Sequence, residues 1–267
     1  GLDYRNNSML IADAFETIEE KNGGALYIPT TADKPFGKSD DVAYMLTSEE
    51  VAEDLADSGI DSYYGATYYP WIKFFDKDNQ MYINLPPTKD VVRNMADVDN
   101  KLYPWYAPAG TERGKVNCHS LHKFTKIEDT DAVYSGCINP LKKFAKDGVL
   151  IWGNKTMYTQ DTPMNRINTV RMMLYLRKLI NEAQRHLIFD PNDSTLKKQF
   201  EDEIKPILRD IKKNRGITDF ELRVSQTAEE MDNHELSCKL LVKPTPTLEY
   251  IEIEFFVTPQ GVSFTDI

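Results

Sequence analysis

The sequence predicts an α/β protein of the mixed α+β kind, in which mixed sheets pack against long helices. Two helical patterns, Asn165 to Leu187 and about Thr195 to Asn214, are the longest in the chain. Short apolar runs bounded by turn residues precede them, and the chain is rich in strand patterns from Phe220 onwards. We expect two subdomains, residues 1–114 and 115–267, the second ending in a short terminal strand.

The first predicted elements alternate between helix and strand. Apolar residues at helical spacing predict helices over Leu10 to Lys21 and Ser48 to Asp57, with a short strand, Ala25 to Pro29, between them. Two runs of strand-forming residues, Tyr68 to Phe75 and Met81 to Leu85, flank turn residues and predict a hairpin.

The middle of the chain mixes helix and strand signals. Thr88 is placed to cap a helix that runs from Lys89 towards Asp99. After it the sequence predicts an irregular connector, a helix interrupted near Gly136 and Pro140, and a short buried strand, which cover Tyr103–Gly114, Asp129–Phe144 and Val149–Trp152.

The two long helices are amphipathic. Apolar residues of the first lie on one face, and three basic residues that repeat every seven positions lie on the opposite face: Arg171, Lys178 and Arg185. The second helix contains Pro206, where we expect a kink, and Gly216 beyond its end terminates it.

The end of the chain reads as strands. Phe220 to Val224, Leu236 to Lys243 and Leu248 to Val257 are the three runs, and the last alternates apolar residues with glutamates. After a Pro-Gln-Gly break, a short alternating segment closes the chain: Val262, Ser263, Phe264, Thr265, Asp266 and Ile267.

Composition excludes several classes of protein. No apolar run approaches the roughly 20 residues that cross a bilayer, so we expect no direct membrane insertion. The three cysteines have no paired spacing and indicate free thiols. Of the net charge of −10, residues 1–60 carry −9, from 13 acidic and 4 basic residues, which argues against nucleic acid as a partner. Because the chain begins with Gly, we expect it to derive from a longer one.

One stretch resembles a phosphate-binding loop. The segment Ala32 to Ser39, ADKPFGKS, follows an apolar run and precedes a helical one. However, Ala32 replaces the first glycine of the pattern and Pro35 removes a backbone N–H from the cradle. Nearby aspartates would repel a triphosphate. We therefore expect an exposed loop and no bound cofactor.

The sequence predicts no catalytic or metal site. Cys118, His119 and His122 are near one another, but they are loosely spaced and lack a fourth Cys or His ligand. No nucleophile elbow or Cys-x-x-Cys pattern is present. We expect a protein that is not an enzyme.

Four segments, in order, carry a resemblance to a known family. They are YYPWIKFFDKDNQMYINLPPTKDVV (68–92), LYPWYAPAGTERG (102–114), INPLKKFAKDGVLIWGNKTM (138–157) and INTVRMMLYLRKLINEAQRHLIFDPND (167–193). Their order and amino-acid sequences resemble those of the contractile tail sheath proteins of bacteriophages and related injection machines, over roughly residues 60–267. Residues 1–60 match less clearly.

The resemblance implies a structural function. It implies a virion subunit, assembled in the host bacterial cytoplasm, that polymerises helically around a tail tube and contracts by rigid-body rearrangement. Its implied partners are further copies of itself, the tail tube protein, and baseplate and tail terminator proteins. Two alternatives stay open: a nucleotide-binding α/β enzyme that uses Lys38 and Ser39, and another virion or baseplate module.

Two groups of residues are candidates for subunit contacts. Residues 262–267 are expected to link neighbouring copies by strand addition, since the family uses terminal arms in this way. An inner surface that grips the tube is expected to be basic, with seven candidates: Arg171, Lys178, Arg185, Lys197, Lys198, Lys212 and Lys213. A solvated helix face explains these residues equally well.

Overall fold

A computed structural model describes residue 56 and residues 59–122 and 127–249. The predicted elements Leu10 to Lys21, Ala25 to Pro29 and nearly all of Ser48 to Asp57 lie outside these residues, as does the strand Leu248 to Val257 from residue 250 onwards. Within the described residues no helix is both long and apolar enough to span a membrane.

Helices and strands alternate along the described chain, which confirms the predicted mixed fold. The strands are β1 (Thr67–Tyr69), β2 (Ile72–Asp76), β3 (Met81–Leu85), β4 (Ser120–Leu121), β5 (Ile138–Phe144), β6 (Gly148–Ile151), β7 (Ile217–Ser225) and β8 (Ser237–Pro244). The helices are α1 (Thr88–Lys101), α2 (Gly110–Arg113), α3 (Ile127–Ser135), α4 (Ile167–Ala183), α5 (Ser194–Lys213) and α6 (Ala228–Asp232), with 3-10 turns at Pro163–Asn165 and Gln184–Leu187.

The first sheet has the strand order β1-β5-β6 and forms one core of the protein. β1 runs parallel to β5, and β6 is antiparallel to β5. The connector before β4 covers the outer edge of β6, where the Val116 N–H donates to the Val149 carbonyl and the Ile151 N–H to the Gly114 carbonyl. β1 and β5 pair although they lie on opposite sides of the predicted subdomain boundary at residue 114. The boundary itself stays a prediction.

The second sheet has the order β3-β2-β4. The predicted hairpin is confirmed, and the Asp76 carboxylate accepts the Asp78 N–H at 3.0 Å within its turn. The prediction of one strand from Tyr68 to Phe75 is wrong, because Pro70 has no N–H to continue a ladder. The chain therefore enters the first sheet as β1 and the second sheet as β2.

The segment from Asp129 to Phe144 is also not an interrupted helix. α3 ends at Ser135, Cys137 adopts a left-handed φ of 62°, and the chain continues as β5. Pro140 suggested a helix break, yet it lies in the central strand opposite Tyr69 of β1. Ile138 and Leu141 favour the strand, because both are apolar and almost fully buried.

The two long helices pack together with the β7–β8 hairpin and form the second core. On α5 the buried residues recur every three or four positions, as predicted for an amphipathic helix: Leu196, Phe200, Ile204, Leu208 and Ile211. The helix runs continuously through Pro206, which lies on its exposed side. α4 contributes Met172 and Leu176, and the Trp105 ring of the connector closes the cluster.

The helix ends follow capping rules in one case and depart from them in another. The Asp193 carboxylate caps α5 by accepting the N–H groups of Thr195 and Leu196 at 2.9 and 3.0 Å. At α1, by contrast, Pro87 occupies the cap position and Thr88 already lies inside the helix, so the predicted Thr88 cap is wrong.

Candidate interaction surfaces

A buried amide network fixes the connector and the end of the described chain against α4. The Asn168 side chain donates from Nδ2 to the Trp105 carbonyl at 3.2 Å. Its Oδ1 accepts from Asn154 Nδ2 at 2.7 Å and from Thr247 Oγ1 at 3.2 Å. Asn154 and Asn168 are both buried, so each lost hydrogen bond would leave a desolvated polar atom.

A charged cluster fixes the chain at Glu249, the last described residue. Arg166 binds the carboxylate in a bidentate manner, with Nε to Oε1 at 2.6 Å and Nη2 to Oε2 at 3.0 Å. Tyr134 donates its hydroxyl to Oε2 at 2.9 Å. Burial alone would lower the pKa of Arg166, but its hydrogen bonds and attraction to Glu249 outweigh burial and raise that pKa overall. These contacts therefore fix Glu249 against Arg166 and Tyr134.

Asn139 joins β1, β5 and the loop after β6. Its Nδ2 donates to the carbonyls of Thr67 and Lys155 at 3.1 and 2.7 Å, and its Oδ1 accepts the Lys155 N–H at 2.7 Å. A Cβ on Gly153 would lie 2.7 Å from Asn139 Oδ1, so only glycine fits beside this amide. This arrangement locks the Trp-Gly turn onto the first sheet.

The β7–β8 sheet offers strand edges. Within the described residues it is two-stranded, and the outer edges of β7 and β8 have no strand partner. Unpaired edges of this kind are templates for another strand.

The predicted basic row on α4 is interrupted, because Arg171 is buried. Only 9% of its side chain is exposed, and Nη2 donates to the Asp99 carboxylate and to the Met95 carbonyl. The prediction of an exposed Arg171 is therefore wrong. The side chain joins α4 to α1 through these two contacts. The first half of α4 is buried on nearly all sides.

The other six basic candidates lie on or near the long helices with differing exposure. Lys178 and Arg185 are exposed, Lys197 is half-buried and Lys198 is exposed on the first turns of α5. At the other end of α5, Lys213 is exposed and Lys212 pairs with Asp219 at 2.9 Å. An exposed pair of this kind stabilises the fold only weakly, because water screens the attraction. Their contact with a tube stays a prediction.

A groove of about 270 Å³ lies beside the first sheet and the end of the described chain. Its walls include Ala107, Ala109, Pro140, Trp152 and Leu248. Trp152 is 42% exposed and Leu248 75% exposed, so the groove presents apolar surface to its surroundings.

The remaining sequence candidates fall in two places. The ADKPFGKS loop and the linking residues 262–267 lie outside the described residues. Cys118, His119 and His122 lie beside β4, where the His119 N–H donates to the Lys73 carbonyl and the His122 N–H to the Trp71 carbonyl. Burial raises the pKa of the Cys118 thiol to about 11.

Asn139, Asn154 and Trp105 lie within the segments that carry the family resemblance, but their hydrogen-bonding roles were not predicted. Asn139 is a polar residue inside an apolar run, and that pattern is the signal for a buried hydrogen-bonding role. Asn154 lies between Gly153 and Lys155 and has no such signal. The ion pair between Arg166 and Glu249 joins residues 83 positions apart, and a single sequence carries no signal for such a contact.

Comparisons with known proteins agree on one kind of protein. Residues 159–258 match the family model of the phage tail sheath C-terminal domain. The tail sheath protein of Vibrio phage KVP40 is 29% identical over 197 residues, 72% of this chain and 29% of that protein. That of Enterobacteria phage T4 is 26% identical over 197 residues, 72% of this chain and 30% of that protein. The chain thus spans about 30% of the length of these relatives.

Solved structures share the fold. The sheath complex of an extracellular contractile injection system (PVC) in the contracted state has a TM-score of 0.71 and 18% identity, over 86% of this chain and 63% of that chain. The baseplate of the anti-feeding prophage in the contracted state has a TM-score of 0.72 and 19% identity, over 92% of this chain and 68% of that chain.

Proposed function

We propose that this chain belongs to the contractile tail sheath family and is part of a structural subunit that polymerises helically around a tail tube. The observation that carries this proposal is the match of residues 159–258 to the sheath C-terminal domain, joined to a fold shared with sheath subunits of contractile machines. The subunit acts in the virion tail, and its other partners are the tube, baseplate and terminator proteins.

Contraction proceeds by rearrangement of rigid bodies and not by hydrolysis. A subunit that moves as a body must hold its shape while its contacts change. Two apolar cores and buried amide networks across β1, β5, α4 and the connector support such rigidity. The free energy for contraction is stored when the extended sheath assembles. It is released when copies rearrange and form contacts of lower free energy.

Neighbouring copies are linked by strand addition. Residues 262–267 of one copy pair with an unpaired edge of the β7–β8 sheet of another, through main-chain hydrogen bonds. The anchor at Glu249 supports this role, because a load on the end of the chain is transmitted to α4 through Arg166. Deletion of residues 262–267 is expected to abolish assembly while the thermal unfolding temperature of the subunit stays unchanged.

The tube is held by many weak polar contacts. Exposed charge pairs contribute only about 0–1 kcal/mol each, so a set of them holds the tube and still releases it. Lys178, Arg185, Lys198 and Lys213 are available for this role, since all four are exposed. Charge reversal at these positions should weaken tube binding in proportion to their number, and more strongly at low salt.

Electron microscopy of the full-length protein tests the proposal. Helical tubes with or without the tail tube support it, and discrete rings or monomers under all solvent conditions contradict it. Calorimetric titration with ATP and Mg²⁺ tests the enzyme alternative. Tight binding that is lost on Lys38→Ala would favour an enzyme over a sheath subunit.

A further inference from the structure

We propose that Ile188 and Phe189 form an apolar knob by which one copy of the chain docks on the next, an inference that rests on the proposed sheath function. Phe189 is fully exposed, at 101%, and Ile188 is 57% exposed, directly after the buried Leu187. The two side chains are adjacent and both exposed, so they form a small apolar patch that burial against another molecule would stabilise.

The backbone holds the ring outward. Phe189 has a φ of 81°, a left-handed conformation that glycine or asparagine adopts at little cost and a bulky residue does not. The loop is also fixed, because Asn192 donates to the Glu235 carbonyl at 3.0 Å and accepts from Gln226 at 2.8 Å. Phe189 is thus presented on an ordered loop in a conformation that does not favour its side chain.

A receptor of suitable size lies at the opposite end of α4. The groove of about 270 Å³ is lined by Asn154, which bonds to Asn168 at the start of α4, while the knob follows the end of that helix. At 1.5 Å per residue the 17 residues of α4 span roughly 25 Å. Phe189 therefore does not reach the groove of its own chain, whereas exposed Trp152 and Leu248 offer it apolar contact in another copy.

This placement predicts how copies add to each other. A knob and a groove at opposite ends of one helix make a head-to-tail contact, and such a contact generates a helical filament when the rotation between copies does not close a ring. The polar contacts with the tube are weak and releasable. The apolar contact between copies, by contrast, is suited to persist.

Photochemical cross-linking tests the contact directly. Phe189 is replaced by p-benzoylphenylalanine in the full-length protein, and assembled sheaths with tube are irradiated. We expect products at multiples of the subunit mass whose adducts map to the groove of a neighbouring copy, near Ala109 or Trp152. An adduct to the tube protein, an adduct within one chain, or an adduct elsewhere on a second copy overturns the proposal.

A matched pair of variants provides an independent measurement. Phe189→Ser is expected to raise the critical concentration for assembly at least tenfold without lowering the unfolding temperature of the subunit. Val92→Ser, which removes a 52% exposed side chain on α1, is the control and should change neither quantity. An unchanged critical concentration, or a lowered unfolding temperature that shows the ring packs in its own chain, contradicts the inference. If the unmodified protein also fails to assemble, the sheath function itself is wrong.

Discussion

The ion pair between Arg166 and Glu249 provides the sharpest prediction about stability. Replacing Arg166 by Gln removes both hydrogen bonds to the carboxylate and leaves Glu249 with the Tyr134 hydroxyl as its described side-chain partner. Only 27% and 16% of the two side chains are exposed, so solvent does not readily replace the lost partner.

The magnitude follows from geometry and dielectric. Two unit charges about 4 Å apart attract by about 4 kcal/mol at an effective dielectric of ~20. Desolvation and side-chain ordering offset part of this attraction, and we expect Arg166→Gln to lower the free energy of unfolding by about 2 kcal/mol. Lys205→Gln is the control, because the Lys205–Glu201 pair lies on one helix face and should cost about 0.5 kcal/mol or less.

Urea denaturation of Arg166→Gln, Glu249→Gln and the double variant measures the coupling. We expect a coupling free energy between the two sites of at least about 1 kcal/mol. A coupling below about 0.3 kcal/mol would refute the conclusion that this pair anchors the end of the described chain.

Three further predictions concern the second core and its hairpin. Leu208→Ala removes a fully buried side chain and should cost about 3 kcal/mol of unfolding free energy in urea denaturation; a cost below about 1 kcal/mol would contradict the described core. Trp105→Phe loses the hydrogen bond from Nε1 to the Asn214 carbonyl and part of the indole packing in the second core, so at least about 1 kcal/mol is expected in the same assay, and no loss would argue against both contacts. Hydrogen bonds from Ser237, the Thr227 N–H and Ser225 lower the pKa of Glu230 to about 2. This carboxylate therefore stabilises the fold above about pH 4.5 and loses its effect as the pH falls towards 2. Thermal melts should show a weaker acid dependence for Glu230→Gln, and equal dependence for both proteins would rule the effect out.

Hydrophobic periodicity was sufficient to predict the elements that bury one face. α5 presents apolar residues at helical spacing, and its bounds lie within one residue of the prediction. The hairpin β2–β3 was equally clear, because strand-forming runs flank a turn-forming tetrapeptide. In these elements local chemistry and tertiary packing favour the same structure.

Two predictions were wrong because tertiary contacts, and not local sequence patterns, determine the structure at those positions. Pro140 is rare in a central strand, so its presence favoured a broken helix, yet burial of Ile138 and Leu141 determined the outcome. Arg171 was assigned to a solvated face by its spacing, but α1 packs over that face and supplies Asp99 as a partner. Contacts between distant residues decide such positions, and a single sequence does not display them.

We propose that the free energy that drives contraction resides in contacts between copies of the subunit. Scanning calorimetry of purified extended sheaths in nucleotide-free buffer tests it most directly. We predict an irreversible conversion to the contracted form that releases heat, followed by unfolding at a higher temperature than that of the isolated subunit. Extended sheaths that contract only when a nucleoside triphosphate is added and hydrolysed would contradict the claim.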